Sequence, residues 1–257
     1  MSDHEGNDRA ALRRQLAAVG PYFAVGGGGG GEGGGEPGSG FQPLRELYAV
    51  GPGSFLAGRI GYVARQLGTG EVRVAGSIVQ VGIAARLWSV ALGSVALGGC
   101  VPDLHPDRVH WRLPAQGGPL DLWVPRLDPV GDGDGRGLHE AVMVENLAPL
   151  TAAVLAVAPV AERLLWGNAA SALAGALRVL HGQVGAERPE GYRAAETAAR
   201  ELLGRTPLLG TGHLSATAPP SFRRSTCCLY YRLPSGGLCG DCVFTTPPCP
   251  RHHRIVN

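Results

Sequence analysis

A chain of 257 residues with 44% hydrophobic and 17% charged residues is long enough to bury a core of its own and too apolar to be intrinsically disordered. Its 23 basic residues, all arginine, against 21 acidic residues give a net charge of +2. No stripe of basic residues interleaved with aromatic residues is visible. Composition and charge therefore argue against a nucleic-acid partner.

The first residues and the longest apolar runs bear on membrane association. MSDHEGNDRA lacks the basic start and the apolar run of a secretory signal. Residues 147–161 form the longest uncharged apolar stretch, but they contain Pro149 and Pro159 and fall short of the about 20 residues needed to cross a bilayer. The apolar segment 74–99 carries Arg86, which is expensive in lipid. We therefore expect no membrane span and a cytoplasmic protein.

Residues 1–40 are predicted to be an N-terminal extension. Leu12, Leu16 and Val19 in DRAALRRQLAAV have the spacing of a short amphipathic helix, which either docks on the main domain or frays. Residues 26–40, GGGGGGEGGGEPGSG, contain almost nothing that can be buried. This composition predicts a flexible linker.

The main domain, residues 41–214, opens with two predicted helices and a β-hairpin. Helical spacing covers residues 54–67, with Gly68 as the stop, and residues 77–97. The second helix is apolar over more than half of its circumference, so we expect it to be central and buried. Apolar residues then recur at every second position in RVHWRLP and PLDLWVP. This alternation predicts two antiparallel strands joined by the AQGG turn.

Helical spacing returns over residues 138–181, with expected breaks near Pro149 and Pro159. A last helix, PEGYRAAETAARELLG, begins with proline and stops at glycine, as helices prefer. The predicted fold class is α+β. It combines a helix-rich domain and a small antiparallel β-hairpin or sheet with a C-terminal cysteine-rich module at residues 215–257.

The segment CCLYYRLPSGGLCGDC holds four of the six cysteines: Cys227, Cys228, Cys239 and Cys242. In a reducing compartment, clustered thiols point to a metal rather than to disulfides. Four thiolates suit a tetrahedral zinc ion or a two-iron cluster. Adjacent cysteines can share one small ion only if the backbone turns sharply, and zinc sites commonly leave a gap of two to four residues. A two-iron cluster is a larger target and accepts less convergent thiolates.

A second set of possible ligands overlaps the first. It has the Cys-x2-Cys-x6-Cys-x2-His spacing of a zinc knuckle, with His253 as a spare ligand, and consists of Cys239, Cys242, Cys249 and His252. This set would leave the adjacent cysteines 227 and 228 without a role. A structural zinc site is therefore the alternative to a cluster.

The sequence STCCLYYRLPSGGLCGDCVF closely resembles the C-terminal signature of the FhuF-type ferric iron reductases, and RLLWGNAASAL, residues 163–173, resembles the family more loosely. The resemblance implies a [2Fe-2S] cluster and assigns its iron ligands, which are Cys227, Cys228, Cys239 and Cys242. It gives no role to Cys100 or Cys249. The iron–sulfur module would then be residues 215–257.

The resemblance also implies an activity. A member of this family is a cytoplasmic oxidoreductase that passes one electron to the iron of a ferric siderophore and releases Fe(II). Since the chain shows no flavin or nicotinamide fingerprint, we expect an external electron donor, either a ferredoxin or an NAD(P)H-dependent reductase. No catalytic side chain beyond the cluster ligands is assigned. The alternative function is a non-enzymatic binding module whose cysteines hold a structural zinc or cluster.

Arginines surround the cysteines in the sequence. The stretch between residues 222 and 254 contains five arginines and a single acidic residue, Asp241. The arginines are Arg223, Arg224, Arg232, Arg251 and Arg254. Positive charge here would compensate a negatively charged cluster and raise its reduction potential, although the arginines could also be simply solvated. In LLWGNA, Trp166 is expected in the core, and Asn168 is expected to kink the helix or make a buried hydrogen bond.

Overall fold

A computed structural model of the chain describes residues 2–27, 36–51, 53–114 and 118–248. Helices dominate these ranges. The α-helices are α1 Ser2–Val19, α2 Phe55–Gln66, α3 Val72–Gly98, α4 Gly135–Leu138, α5 Ala148–Val157, α6 Glu162–Gln183 and α7 Pro189–Leu203. Short 3-10 helices cover Leu44–Tyr48 and Tyr230–Arg232, and π-helical turns cover His139–Leu147.

The strands are short and entirely antiparallel in their pairing. They are β1 Gln42–Pro43, β2 Cys100–Pro102, β3 His110–Arg112, β4 Asp121–Trp123, β5 Pro129–Asp132, β6 Gly212–Leu214 and β7 Phe222–Arg224. In the described residues they form a sheet in the order β1-β3-β4 and the pairs β2-β5 and β6-β7. The predicted α+β class, helix-rich with small antiparallel sheets and clustered C-terminal cysteines, is confirmed.

Helix α3 is the centre of the fold. It contacts α1, α2, α6 and α7, and its large side chains Leu87, Trp88 and Leu92 are at most 1% exposed. Burial on nearly all sides explains why the helix is apolar around most of its circumference. It begins at Val72, five residues before the predicted start at 77, and ends where Gly99 adopts a left-handed φ of +71°.

Two helical stretches, Val72–Gly98 and Gly135–Val157, are long and apolar enough to cross a membrane by length and composition alone. The most apolar windows of these stretches are 78% and 50% buried inside the described fold. Packing against neighbouring helices accounts for the apolar character of α3, because a core helix needs the same composition.

The predicted boundaries of α2 and the predicted hairpin are confirmed. Ser54 caps α2 by accepting a hydrogen bond from the Ala57 N–H at 3.4 Å, and Gly68 follows the helix with a φ of +61°. Strands β3 and β4 pair with Trp111 opposite Leu122. Most of the predicted AQGG turn, residues 115–117, lies outside the described residues.

The expected break near Pro149 is wrong, and the break near Pro159 is confirmed. Helix α4, the π-helical turns and α5 form one uninterrupted helix, Gly135–Val157. Pro149 lies where the π-helical turns pass into α5 and the hydrogen-bond register changes, with the Ala148 N–H donating to the Met143 carbonyl five residues back, so a missing N–H is tolerated there. After α5 the chain becomes extended around Pro159 before α6 begins at Glu162.

The N-terminal helix docks on the main helical layer. Leu16 and Phe23 are at most 1% exposed, and a Cβ added at Gly93 of α3 would lie 2.6 Å from Leu16 and 2.8 Å from Phe23. The absence of a side chain at position 93 therefore lets this part of the chain approach α3. Residues 28–35 of the predicted linker lie outside the described residues. The division of the chain at residues 40 and 214 stays a prediction.

Leu16→Ala tests whether α1 is an integral part of the fold. We expect a loss of about 2–5 kcal/mol in the free energy of unfolding, because a fully buried leucine is truncated. The matched control is Arg14→Ala on the exposed face of the same helix, with an expected change within about 0.5 kcal/mol. Urea unfolding followed by circular dichroism measures both. Equal midpoints for the two variants would contradict the docked position of α1.

Candidate metal centre

The cysteine segment follows a small β-hairpin. In β6-β7, Gly212 pairs with Arg224 and Leu214 pairs with Phe222, and the backbone N–H of Arg224 donates to the Asp241 carbonyl at 3.0 Å. The strand that leads into the first cysteine pair therefore also holds the turn of the second pair. Sequence periodicity did not predict this hairpin, because each of its strands spans three residues.

The backbone turns sharply immediately after the adjacent cysteines. Leu229 has a left-handed φ of +69°, the one positive φ at a non-glycine residue in the described chain, and its N–H donates to the Cys227 Sγ at 3.3 Å. In the second pair, the N–H of Cys242 donates to the carbonyl of Cys239 at 3.1 Å. The sharp turn that two neighbouring ligands require is thus present.

The four predicted site cysteines lie near one another, and three of them interact directly. The Cys228 thiol makes hydrogen bonds with both the Cys227 and the Cys239 thiols, and Cys242 lies within electrostatic range of Cys227 and Cys239. Cys228 is 9% exposed, whereas the other three are half-buried. The quartet therefore has one buried member and an edge that reaches the surface.

Hydrogen bonds within the quartet distribute negative charge unequally. The Cys227 and Cys239 thiols lower the pKa of Cys228, against the opposing effect of burial. The same contacts, together with burial, raise the pKa of Cys227 and of Cys239. Binding a metal ion to these sulfurs requires the release of thiol protons.

Backbone amides also point at the sulfurs. The N–H groups of Tyr230 and Asp241 donate to Cys228 and Cys239, respectively. Among the described residues, no group of three or more His, Cys, Asp or Glu side chains is arranged to hold a metal ion outright. The segment thus supplies four nearby sulfur donors and amide hydrogen bonds, and the sulfurs must adjust around whatever they bind.

A buried polar chain joins the cysteine segment to α3 and α6. The Ser77 Oγ donates to the Cys228 carbonyl at 2.7 Å. The Asn168 Nδ2 donates to the Ser77 carbonyl and to its Oγ, both at 3.0 Å. The Asn168 Oδ1 accepts from Arg224 at 2.5 Å. Ser77 and Asn168 are fully buried, so the predicted buried hydrogen-bonding role of Asn168 is confirmed.

Asp241 is an anchor rather than a free acid beside the cysteines. It is 8% exposed, and its carboxylate accepts from the Ser171 Oγ at 2.6 Å and from Arg178 at 2.7 Å. Sequence reasoning missed both partners. Asn168, Ser171 and Arg178 share one face of α6, whose residues 164–180 are otherwise apolar or glycine, and this spacing was the signal that could have identified them.

The arginines near the cysteines have different surroundings. Arg224 is 3% exposed, so the alternative that it is merely solvated is wrong. Arg232 donates to both oxygens of Glu71, at 2.7 and 2.9 Å, and thereby ties the segment to the start of α3. Arg223 is exposed and donates to the Val243 carbonyl at 3.2 Å. Residues 251 and 254 lie outside the described chain.

The remaining candidate ligands are placed elsewhere or lie outside the description. Cys100 follows Ser77 by 23 residues, almost all of them in α3, which corresponds to about 34 Å along the helix axis. Cys100 therefore cannot join the quartet in this fold. Cys249, His252 and His253 lie outside the described residues. The overlapping zinc-knuckle set thus stays an untested alternative.

One comparison identifies the cysteine segment. Residues 224–244 match the model of the FhuF 2Fe-2S C-terminal domain. The match spans both cysteine pairs and Arg224, and it confirms the resemblance seen in the sequence. A comparison with curated proteins found no match. The matched FhuF segment is short, and the structure shows how helices outside it, α3 and α6, hold it in place.

Gly167 lets the FhuF segment lie directly against α6. A Cβ at this position would lie 2.1 Å from the Thr226 Oγ1 and 3.3 Å from an Arg224 nitrogen. By contrast, a Cβ at Gly175 of the same helix would meet nothing within 4 Å. Replacing each glycine by alanine therefore separates two effects: the loss of close packing, which arises only at Gly167, and the gain in helix stability, which arises at both positions.

Gly167→Ala is expected to destabilise the protein by about 1–3 kcal/mol, because the added methyl group displaces residues next to Cys227. Gly175→Ala, the matched control, is expected to stabilise it by about 0.5–1 kcal/mol, because alanine favours the helix. Denaturant midpoints measure both changes. A Gly167→Ala variant as stable as Gly175→Ala would show that the segment does not pack against α6 as described.

Proposed function

We propose that the protein is a cytoplasmic ferric-siderophore reductase whose FhuF segment holds a [2Fe-2S] cluster. The observation that carries this proposal is the match of residues 224–244 to the FhuF 2Fe-2S C-terminal domain, which spans both cysteine pairs. The proposed ligands are Cys227, Cys228, Cys239 and Cys242. All four belong to one segment of the chain, and no other described cysteine lies close enough to replace them.

The donor set fits a two-iron cluster. Four cysteine thiolates are the usual ligands of a [2Fe-2S] cluster, and hydrogen bonds to the sulfurs are a usual means of tuning it. Backbone N–H groups that donate to three of the four sulfurs are already in place. The sharp turn at Leu229 follows the two adjacent cysteines and is compatible with a small ion as well as with a cluster. The FhuF match across both cysteine pairs is what favours the cluster.

When bound, a [2Fe-2S] cluster supplies one-electron transfer. The chain's own residues determine where this chemistry takes place. Cys228 lies against Ser77 of α3, whereas Cys227, Cys239 and Cys242 are half-buried. This edge near the surface is where we propose that the electron donor and the ferric chelate approach. The buried side keeps the ligands fixed on two helices.

The substrate is the Fe(III) of a siderophore. One electron reduces this Fe(III) to Fe(II), which the siderophore oxygens hold less tightly and which exchanges ligands more readily. The electron comes from an external donor, for which we propose a ferredoxin or an NAD(P)H-dependent reductase. Each iron released therefore consumes one electron from that donor.

A structural role of the same site is the second candidate function. Contacts of the segment with Ser77, Asn168 and Glu71 fasten it to α3 and α6, which is what a structural metal site would reinforce. In that case the cysteines would hold zinc or a redox-inactive cluster, and the protein would be a non-enzymatic binding module. Metal analysis and electron-transfer kinetics distinguish these functions.

Cys228→Ser is expected to abolish cluster binding, because Cys228 is the buried ligand that contacts two other thiols. Wild-type protein purified without oxygen should contain iron and acid-labile sulfide and show visible absorption bands that bleach on reduction. Cys100→Ser and Cys249→Ser are the controls and should keep all of these features. Zinc without iron in the wild-type protein would contradict the cluster, and cluster loss in Cys249→Ser would contradict the ligand set.

Reduced protein is expected to transfer electrons to ferric siderophores. Stopped-flow mixing with a panel of catecholate, hydroxamate and carboxylate chelates should restore the oxidised visible spectrum faster than mixing with buffer. An Fe(II)-specific indicator should report one Fe(II) for each electron lost. Oxidation no faster than in buffer across the whole panel, in protein that holds a cluster, would favour the binding-module function.

A further inference from the structure

Arg224 is a buried guanidinium held in a fixed position. It is 3% exposed. Its Nε donates to the Thr226 carbonyl at 3.1 Å, and one terminal nitrogen donates to the Asn168 Oδ1 at 2.5 Å and to the Leu164 carbonyl at 3.4 Å. Every one of these acceptors is neutral. These three hydrogen bonds hold the guanidinium in place without cancelling its charge.

No carboxylate within the described residues forms an ion pair with Arg224. Asp241, the acid nearest in sequence to the cysteines, pairs instead with Arg178 at 2.7 Å. Burial lowers the pKa of Arg224, and the Cys228, Cys239 and Cys227 thiols, together with Asp241, oppose this effect. A buried cation without an ion-pair partner is costly. The groups that offset that cost here are the cysteine sulfurs, together with the Asp241 carboxylate.

We propose that Arg224, positioned by Asn168, is the fixed positive charge that stabilises the negative charge of the cysteine site and raises the reduction potential of the bound cluster. The inference rests on the proposed function, because it concerns a [2Fe-2S] cluster. Reduction adds one electron and changes the net charge of two irons, two sulfides and four thiolates from −2 to −3. A nearby fixed cation favours the more negative state.

Arg223 supplies a matched control at the adjacent position. It carries the same charge, but it is exposed and contacts the Val243 carbonyl. Water and salt screen an exposed charge far more strongly than a buried one. Arg223→Gln and Arg224→Gln therefore change the formal charge equally, and they differ in burial and in the hydrogen bond with Asn168.

Asn168 is a positioning residue that acts through Arg224. Its neutral amide oxygen accepts from the guanidinium while its Nδ2 donates to Ser77. An aspartate of nearly the same shape would place a carboxylate against Arg224 and neutralise its charge. Asn168→Asp therefore removes the net positive charge with the arginine still in place. A purely structural role of Asn168 would not change the reduction potential.

The experiment is an equilibrium redox titration of the cluster-loaded variants, followed by visible absorption, with circular dichroism as the check of folding. Arg224→Gln should raise the oxidised-to-reduced ratio about tenfold at a fixed applied potential, which corresponds to a potential lower by about 59 mV for a one-electron couple. Asn168→Asp should shift the ratio in the same direction. Arg223→Gln should shift it less than about twofold, because solvent and salt screen the exposed charge. Arg224→Lys should stay close to the wild type, because it keeps a buried positive charge.

Equal potentials for Arg224→Gln and Arg223→Gln would overturn the inference, and so would a shift in Arg224→Lys as large as that in Arg224→Gln. Should Arg224→Gln fail to fold or to hold a cluster, Asn168→Asp tests the inference in its place. A shift in reduction potential no larger than that of Arg223→Gln would then overturn the inference. Wild-type protein without iron and sulfide would refute the proposed function as well. Wild-type protein that holds a cluster, with equal potentials, would refute this inference alone.

Discussion

The hydrogen-bond chain from Ser77 through Asn168 to Arg224 is the interaction on which the cysteine site depends. All three residues are buried, and each forms a side-chain hydrogen bond with the next. The chain therefore specifies one arrangement of α3, α6 and the cysteine segment rather than a range of them. A half-satisfied chain of this kind would be worse than an apolar contact. The site is therefore built by two helices distant in sequence as much as by the cysteines themselves.

Periodicity and end signals predicted most of the helices and the hairpin, because these features are local. Ser54 and Gly68 fixed the ends of α2, and the alternation around Trp111 identified a strand. The helix through Pro149 was mispredicted, because the change from π-helical to α-helical hydrogen bonding beside this residue accommodates the missing N–H. The β6-β7 hairpin was missed because strands of three residues are too short to show an alternation of apolar and polar residues.

The cysteine set could be predicted from spacing and resemblance, whereas its supports could not. Gly167 matters only because Thr226 lies against it, a contact between residues 59 positions apart that no local pattern records. Ser171 and Arg178 gave a detectable signal as polar residues on the same face of an apolar helix. Their partner, Asp241, became known only when the fold placed it there.

The order of the elements along the chain has a consequence for assembly. Helices α3 and α6, which carry Ser77 and Asn168, precede all four site cysteines in sequence. The ribosome therefore synthesises the helices that contact the cysteine segment before it synthesises the cysteines. Completion of the site is therefore a late event of biosynthesis, because the last of the four cysteines is residue 242 of 257.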